Sequence, residues 1–159
     1  MNTGQQIITV GALFLLSLLV LMVYRSTGNR STSNYENEAI LTGTSIGQSM
    51  LEEITSKAFD ENTISSTAKT PSDLSAALGP DAGESTASQF DDVDDYNNYT
   101  TSDSLERMGR YDIRVSVYYV EKMNPDVKSY VRTFTKRIDV KLTNKNIPDT
   151  LQLNYVVAY

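Results

Sequence analysis

Apolar positions along the chain change their period twice, and each change marks an element. From Ile7 to Tyr24 the sequence reads IITVGALFLLSLLVLMVY, eighteen residues without a charge and with only Thr9, Gly11 and Ser17 as interruptions. At about 1.5 Å per residue a helix of that length spans roughly 27 Å, close to the hydrocarbon thickness of a bilayer. A helix apolar all round must be covered, and a chain this short has little protein to do it. The pattern therefore predicts a hydrophobic helix over residues 1–25 that enters a membrane. A cleaved secretory signal fits less well, because no basic residue precedes the run and Val23-Tyr24-Arg25 offers no small-residue exit. Ser26 to Asn34 is polar with one glycine, which predicts a linker or a break in the helix over 26–34.

A helical period resumes at Tyr35 and runs to Phe59. Ile40, Gly47, Leu51, Ile54 and Ala58 fall at spacings of seven, four, three and four, Met50 broadens the stripe, and Asn34 is the candidate cap. Gly43 and Gly47 stand four apart. They either weaken a surface helix or form a small-x-x-x-small face where another backbone comes close. From Asp60 to Asp103 periodicity is lost, and only Thr70–Leu78 reads as a short helix, with Pro71 at its first position. Beyond it the period becomes two. Tyr111 to Tyr119 alternates strictly, Tyr130 to Leu142 more loosely, with Arg132 and Lys136 in the apolar register, and Leu151 to Tyr159 again. Asn124-Pro125-Asp126 and Asn146-Ile147-Pro148-Asp149 are the expected turns. Short connections imply an antiparallel meander over 110–159, and its apolar face needs the Tyr35–Phe59 helix as a cover. The expected architecture is α+β: a hydrophobic helix, a break, and an amphipathic helix packed on a C-terminal antiparallel sheet within a domain spanning 35–159.

Composition narrows the chemistry. The 159 residues contain no His and no Cys, so Ser-His-Asp triads, Cys-His pairs, disulfides and the usual zinc sites are excluded. No phosphate-binding glycine loop and no Ser-x-x-Lys appears, and Glu52 and Glu53 diverge on a helix, so no enzyme is expected. The net charge of −6 argues against nucleic acid as a partner. That charge is unevenly spread: residues 52–106 carry thirteen acidic and two basic side chains, whereas 107–159 carry ten basic and five acidic. The acidic region, loops over 60–105, can pair with the basic sheet within one subunit or between subunits, or both surfaces stay solvated.

Several of these pieces together resemble a known family. The N-terminal apolar helix is followed by Gln48-Ser49-Met50-Leu51-Glu52-Glu53-Ile54 and Lys57-Ala58-Phe59-Asp60-Glu61. Next come Phe90-Asp91-Asp92-Val93-Asp94-Asp95-Tyr96-Asn97 and the strand Thr135–Thr143. In this order they resemble type IV pilin-like proteins of the minor pilin and pseudopilin kind, and the run Phe90–Asn97 is the most specific. The resemblance implies a hydrophobic helix leading into a helix packed on an antiparallel sheet. It implies a structural subunit whose partners are other copies or related pilin-like subunits and the membrane. Ile7, Val10, Leu13, Phe14, Leu16, Leu19, Val20 and Val23 are then the assembly positions. It also implies a domain facing the periplasm or cell exterior. Arg25 and Arg30 alone would favour the opposite side, and the triplets Asn29-Arg30-Ser31 and Asn98-Tyr99-Thr100 suit an outward one.

The N-terminus departs from the family. Prepilins carry a basic leader ending in Gly and a glutamate at mature position five. Here Met1-Asn2-Thr3-Gly4 lacks a basic residue, and cleavage between Gly4 and Gln5 would put Thr9 where the glutamate belongs. A subunit at a filament tip fits this, as does an unprocessed single-pass envelope protein with an exposed ligand- or partner-binding domain. The aspartate run suggests one cation site as well: Asp92, Asp94 and Asp95 are candidate calcium ligands, because hard cations take oxygen donors. No other cofactor is expected. The spacing is not that of an EF-hand, and the same carboxylates can instead accept backbone N–H groups in turns.

Overall fold

The computed structural model describes residues 2–159, with side chains for all of these except 27–32. The Asn29-Arg30-Ser31 side chains and Met1 lie outside the described set. Two compact units divide the chain, Met1–Glu38 and Ala39–Tyr159.

Helix α1 runs Thr3–Thr55. Within it Thr3–Ser26 is long and apolar enough to cross a membrane, and none of it is buried. The expected break over 26–34 is absent from the backbone, which stays helical there. Gly28 weakens a helix by only about 1 kcal/mol, and no proline before Pro71 removes a donor.

In the second unit the Ala39–Thr55 part of α1 covers an antiparallel sheet. Strands β1 (Thr100–Leu105), β2 (Gly109–Glu121), β4 (Thr135–Asn144) and β5 (Leu151–Ala158) lie in the order β1-β2-β4-β5, and β3 (Asn124–Lys128) pairs with the end of β2. The architecture is α+β, as expected, but with five strands rather than three. In β2 the strict alternation holds: Tyr111, Ile113, Val115, Val117 and Tyr119 are all buried. Ile113, Val115 and Val117 join Ile54, Ile138, Val140 and Leu142 in the core, with Ile46, Met50 and Leu51 packed against it, while Tyr119 and Tyr111 lie in two smaller clusters.

The helix face differs from the expected stripe by one position. Ala39 rather than Ile40 is buried, and Tyr111 Oη donates to Ala39 O at 3.0 Å. At Gly43 and Gly47 the helix lies close against side chains of the sheet. A Cβ at Gly43 would meet Leu151 Cδ2 and Tyr111 Cε1 at 3.2 Å; at Gly47 it would meet Leu153 Cδ1 at 2.8 Å and Leu142 Cδ1 at 3.1 Å. The pair therefore makes room for side chains of the sheet rather than for another backbone.

Four further expectations are corrected. The helix ends at Thr55 rather than Phe59, because the Ala58 main chain pairs with the acidic segment: Ala58 N donates to Asp91 O and Val93 N to Ala58 O. Thr70–Leu78 forms only a single 3-10 turn, Pro71–Asp73. Asp73 Oδ2 accepts from Lys69 N and Thr70 N, and Ser75 N is drawn to Asp60, so the chain cannot continue as a helix. Asn124-Pro125-Asp126 is not a turn but the start of β3, and Tyr130–Phe134 precedes β4 instead of belonging to it.

Candidate functional site

The Phe90–Asn97 segment is held from both sides. Lys57 Nζ donates to Phe90 O at 2.6 Å. Tyr96 is fully buried, its ring edge-on to Phe90 and Tyr99, and its hydroxyl donates to Glu53 Oε1 at 2.8 Å. Asn98 takes a positive φ of 64°, a conformation that asparagine tolerates, and it turns the chain into β1.

Within this segment the aspartates have separate duties. Asp92 Oδ1 accepts from Asp94 N at 2.6 Å and Asp95 N at 3.2 Å, and Asp95 Oδ2 accepts from Asp91 N and Asp92 N at 3.0 and 3.1 Å. These are the turn-forming bonds that compete with metal ligation. Asp94 instead points to Lys136. Asp92, Asp94 and Asp95 therefore do not gather as one set of ligands. Among the described residues, the carboxylates whose oxygens lie within 4.8 Å of one another are Glu84, Asp91 and Asp95. Of the expected calcium ligands only Asp95 is among them. Burial, and then the neighbouring charges of Asp95 and Asp91, raise the Glu84 carboxyl above its ordinary value against the Asp81 N–H that it accepts.

The second cluster is buried between β4 and the start of the acidic region. Lys136 lies in register opposite Tyr119 and is fully enclosed. Its Nζ donates to Phe59 O at 2.7 Å, Asp60 Oδ2 at 3.0 Å and Asp94 Oδ1. Burial works to raise the Asp60 carboxyl, but Lys136 and the Ser75 donors outweigh it and hold the group below the ordinary aspartate range. Asp94 goes the other way. Burial pushes it up to about 8 despite Lys136, with Asp92 and Asp60 adding repulsion. Burial and then the Asp95 charge take Asp92 to about 7. The acidic and basic regions thus meet within one subunit at this point. Arg132 Nη1 adds bonds of 2.6 Å to the carbonyls of Ser72 and Leu74. Sequence reasoning placed Lys136 in the apolar register of its strand but did not single it out, nor Asp60 or Glu84.

Two surfaces remain. Ile7, Val10, Leu13, Phe14, Leu16, Leu19, Val20 and Val23 are all exposed on α1. Thr9 Oγ1 donates to Gln5 O and Ser17 Oγ to Leu13 O, so the hydroxyls of this stretch are satisfied by the helix itself. An open groove of about 850 Å³ lies between Pro71–Leu78, β2 and the Lys128–Arg132 loop, where Tyr130 is 96% exposed.

No protein-family model, curated protein or solved structure matches the chain.

Proposed function

We propose that this chain is a structural subunit of a type IV pilus-like or pseudopilus-like surface filament, assembling through its N-terminal hydrophobic helix. One observation carries the reading. A single chain combines an apolar helical stretch, Thr3–Ser26, none of it buried, with a folded unit in which the glycine-fitted Ala39–Thr55 part of the same helix covers an antiparallel sheet. Such a helix is covered by like helices in a bundle or by lipid. The internally bonded Thr9 and Ser17 add no polar group that either environment would have to solvate. Its partners are copies of itself or related pilin-like subunits, with the membrane holding the subunit before assembly and the second unit facing the periplasm or exterior.

The test is a charge at Leu16 or Leu19. A lysine in an apolar bundle costs roughly 2.5–3.5 kcal/mol per subunit on insertion scales. Leu16→Lys should abolish filaments seen by electron microscopy while leaving the tyrosine near-UV circular dichroism intact. Filaments that persist at wild-type yield would overturn helix-core assembly.

A second reading is a single-pass membrane-anchored envelope protein whose exposed unit binds a ligand or partner. It is favoured by Thr9 standing where the family's glutamate belongs and by the groove beside Tyr130. The intact mass of protein from cells separates the two: an N-terminus at Gln5 supports the filament, and retained Met1 supports the anchor.

A further inference from the structure

Lys136 is fully enclosed with two unlike carboxyl groups. The rings of Phe59 and Tyr119 close over its Nζ, with centroids at 4.4 and 5.2 Å. Asp60 is held at both oxygens: Ser75 N donates to Oδ1 and Oδ2 at 3.0 Å, and Asn62 N and Ser75 Oγ donate to Oδ1. Asp94 has only Lys136 on Oδ1, and its Oδ2 is buried without a partner. With Tyr119 Oη donating to Oδ2 at 3.2 Å, five donor contacts besides Lys136 favour the anionic form of Asp60. An oxygen without a donor favours a neutral acid at Asp94, the direction in which burial also moves it. An amine, a neutral carboxyl group touching it and an anionic base on the same nitrogen are the parts an amide condensation requires. The enclosure excludes the water that would compete.

We propose that Lys136 and Asp94 condense to an intramolecular isopeptide bond, with Asp60 as the base that moves the protons. Asp60 takes a proton from the Lys136 ammonium, and the freed nitrogen lone pair forms a bond to Asp94 Cγ as the Cγ–Oδ1 π pair moves onto Oδ1, to return and re-form the carbonyl when the hydroxyl departs. The Cγ–Oδ2 bond then breaks with its electron pair on oxygen, and Asp60 hands its proton to that departing hydroxyl, which leaves as water. Asp60 next takes the second proton from nitrogen as the amide forms and returns it to solvent. The net change is one ammonium and one carboxylic acid to one amide, one water and one proton, with no oxidant or reductant. The bond ties the Phe90–Asn97 segment covalently to β4, a link suited to a subunit under tension. It depends only on the second unit and stands whether or not the chain forms filaments.

The test is mass spectrometry of the full chain, extracted in detergent and then denatured. Trypsin should yield a branched peptide joining residues 70–107 to 133–137, lighter than the sum of its parts by about 18 Da, one water. Lys136→Arg should give only unlinked peptides. Asp60→Asn, which keeps the side-chain shape and loses the base, should lower the linked fraction at least tenfold. Wild-type protein with peptides 70–107 and 133–136 found only separately, cleaved after a free Lys136, is an ordinary buried ion pair and overturns the proposal. A linked fraction unchanged in Asp60→Asn overturns the role given to Asp60.

Discussion

Gly47 gives the sharpest test of how the helix meets the sheet. In a free helix, Gly→Ala stabilises by about 1 kcal/mol, because alanine loses less backbone freedom and shields the helix. Here the added Cβ would lie 2.8 Å from Leu153 Cδ1 and 3.1 Å from Leu142 Cδ1. The first distance is shorter than any real contact, so Leu153 must move, and Leu142 is fully buried and leaves little room for that. Overpacking of this kind costs roughly 1–3 kcal/mol, so the net change at Gly47→Ala is a loss of about 1 kcal/mol. At Gly43 the nearest atoms stand at 3.2 Å, and Gly43→Ala should come out near neutral because the two effects offset. The measurement is thermal unfolding of the full chain in detergent, followed by near-UV circular dichroism of the tyrosines. A loss of about 1 kcal/mol corresponds to roughly 4 °C in Tm. Shortening the neighbour in Gly47→Ala/Leu153→Ala should recover part of it, giving a coupling energy of about 1 kcal/mol. If Gly47→Ala instead raises stability by the full helix-propensity gain, the helix does not approach the sheet at that position.

Two other predictions concern the carboxylates. Asp92 titrates at about 7 in the fold and near 4 unfolded. Between these values the native state holds the extra proton, so its contribution to stability is present at low pH and is lost as pH rises from about 4 to about 7. Asp92→Asn keeps the Oδ1 acceptor and should flatten the pH dependence of urea unfolding across that window by up to about 1 kcal/mol per pH unit; an unchanged profile would contradict the assignment. Glu84 stands beside Asp91 and Asp95 at the surface. Glu84→Gln should raise stability by a few tenths of a kcal/mol in chelator at low salt, with the gain shrinking in high salt; a loss would show that repulsion is not the dominant effect there.

What could be read from the amino acids followed how strongly burial imprints a period. In β2 every inward position is apolar, so its alternation predicted the strand and its buried face. The amphipathic stretch of α1 was equally visible, although alanine and glycine carry its closest contacts, which is why the larger Ile40 was credited in place of Ala39. Strand β1 left no such trace: Thr100–Leu105 is polar and mostly exposed, and only its backbone pairs with β2. β3 was hidden behind Pro125, which reads as a turn but is tolerated where a strand needs no donor. The polar clusters were the hardest to foresee. Asp60, Asp94 and Lys136 lie 34 and 42 residues apart along the chain, and only the fold brings them together. The four-aspartate run suggests cation binding, whereas Asp92 Oδ1 and Asp95 Oδ2 are used within its own turn and Asp94 Oδ1 faces Lys136.

Lys136 also has a consequence for strand alignment. Apolar alternation rejects a one-residue slip of β4 against β2, since that would turn Ile138, Val140 and Leu142 outward. It cannot reject a slip of two, which keeps every apolar side chain on the inner face. That slip would bring Ile138 or Phe134 to the place where Asp60 and Asp94 wait, and would strand two buried carboxyl groups and one ammonium. A single inward lysine thus distinguishes the native pairing from the one alternative that hydrophobic burial leaves open.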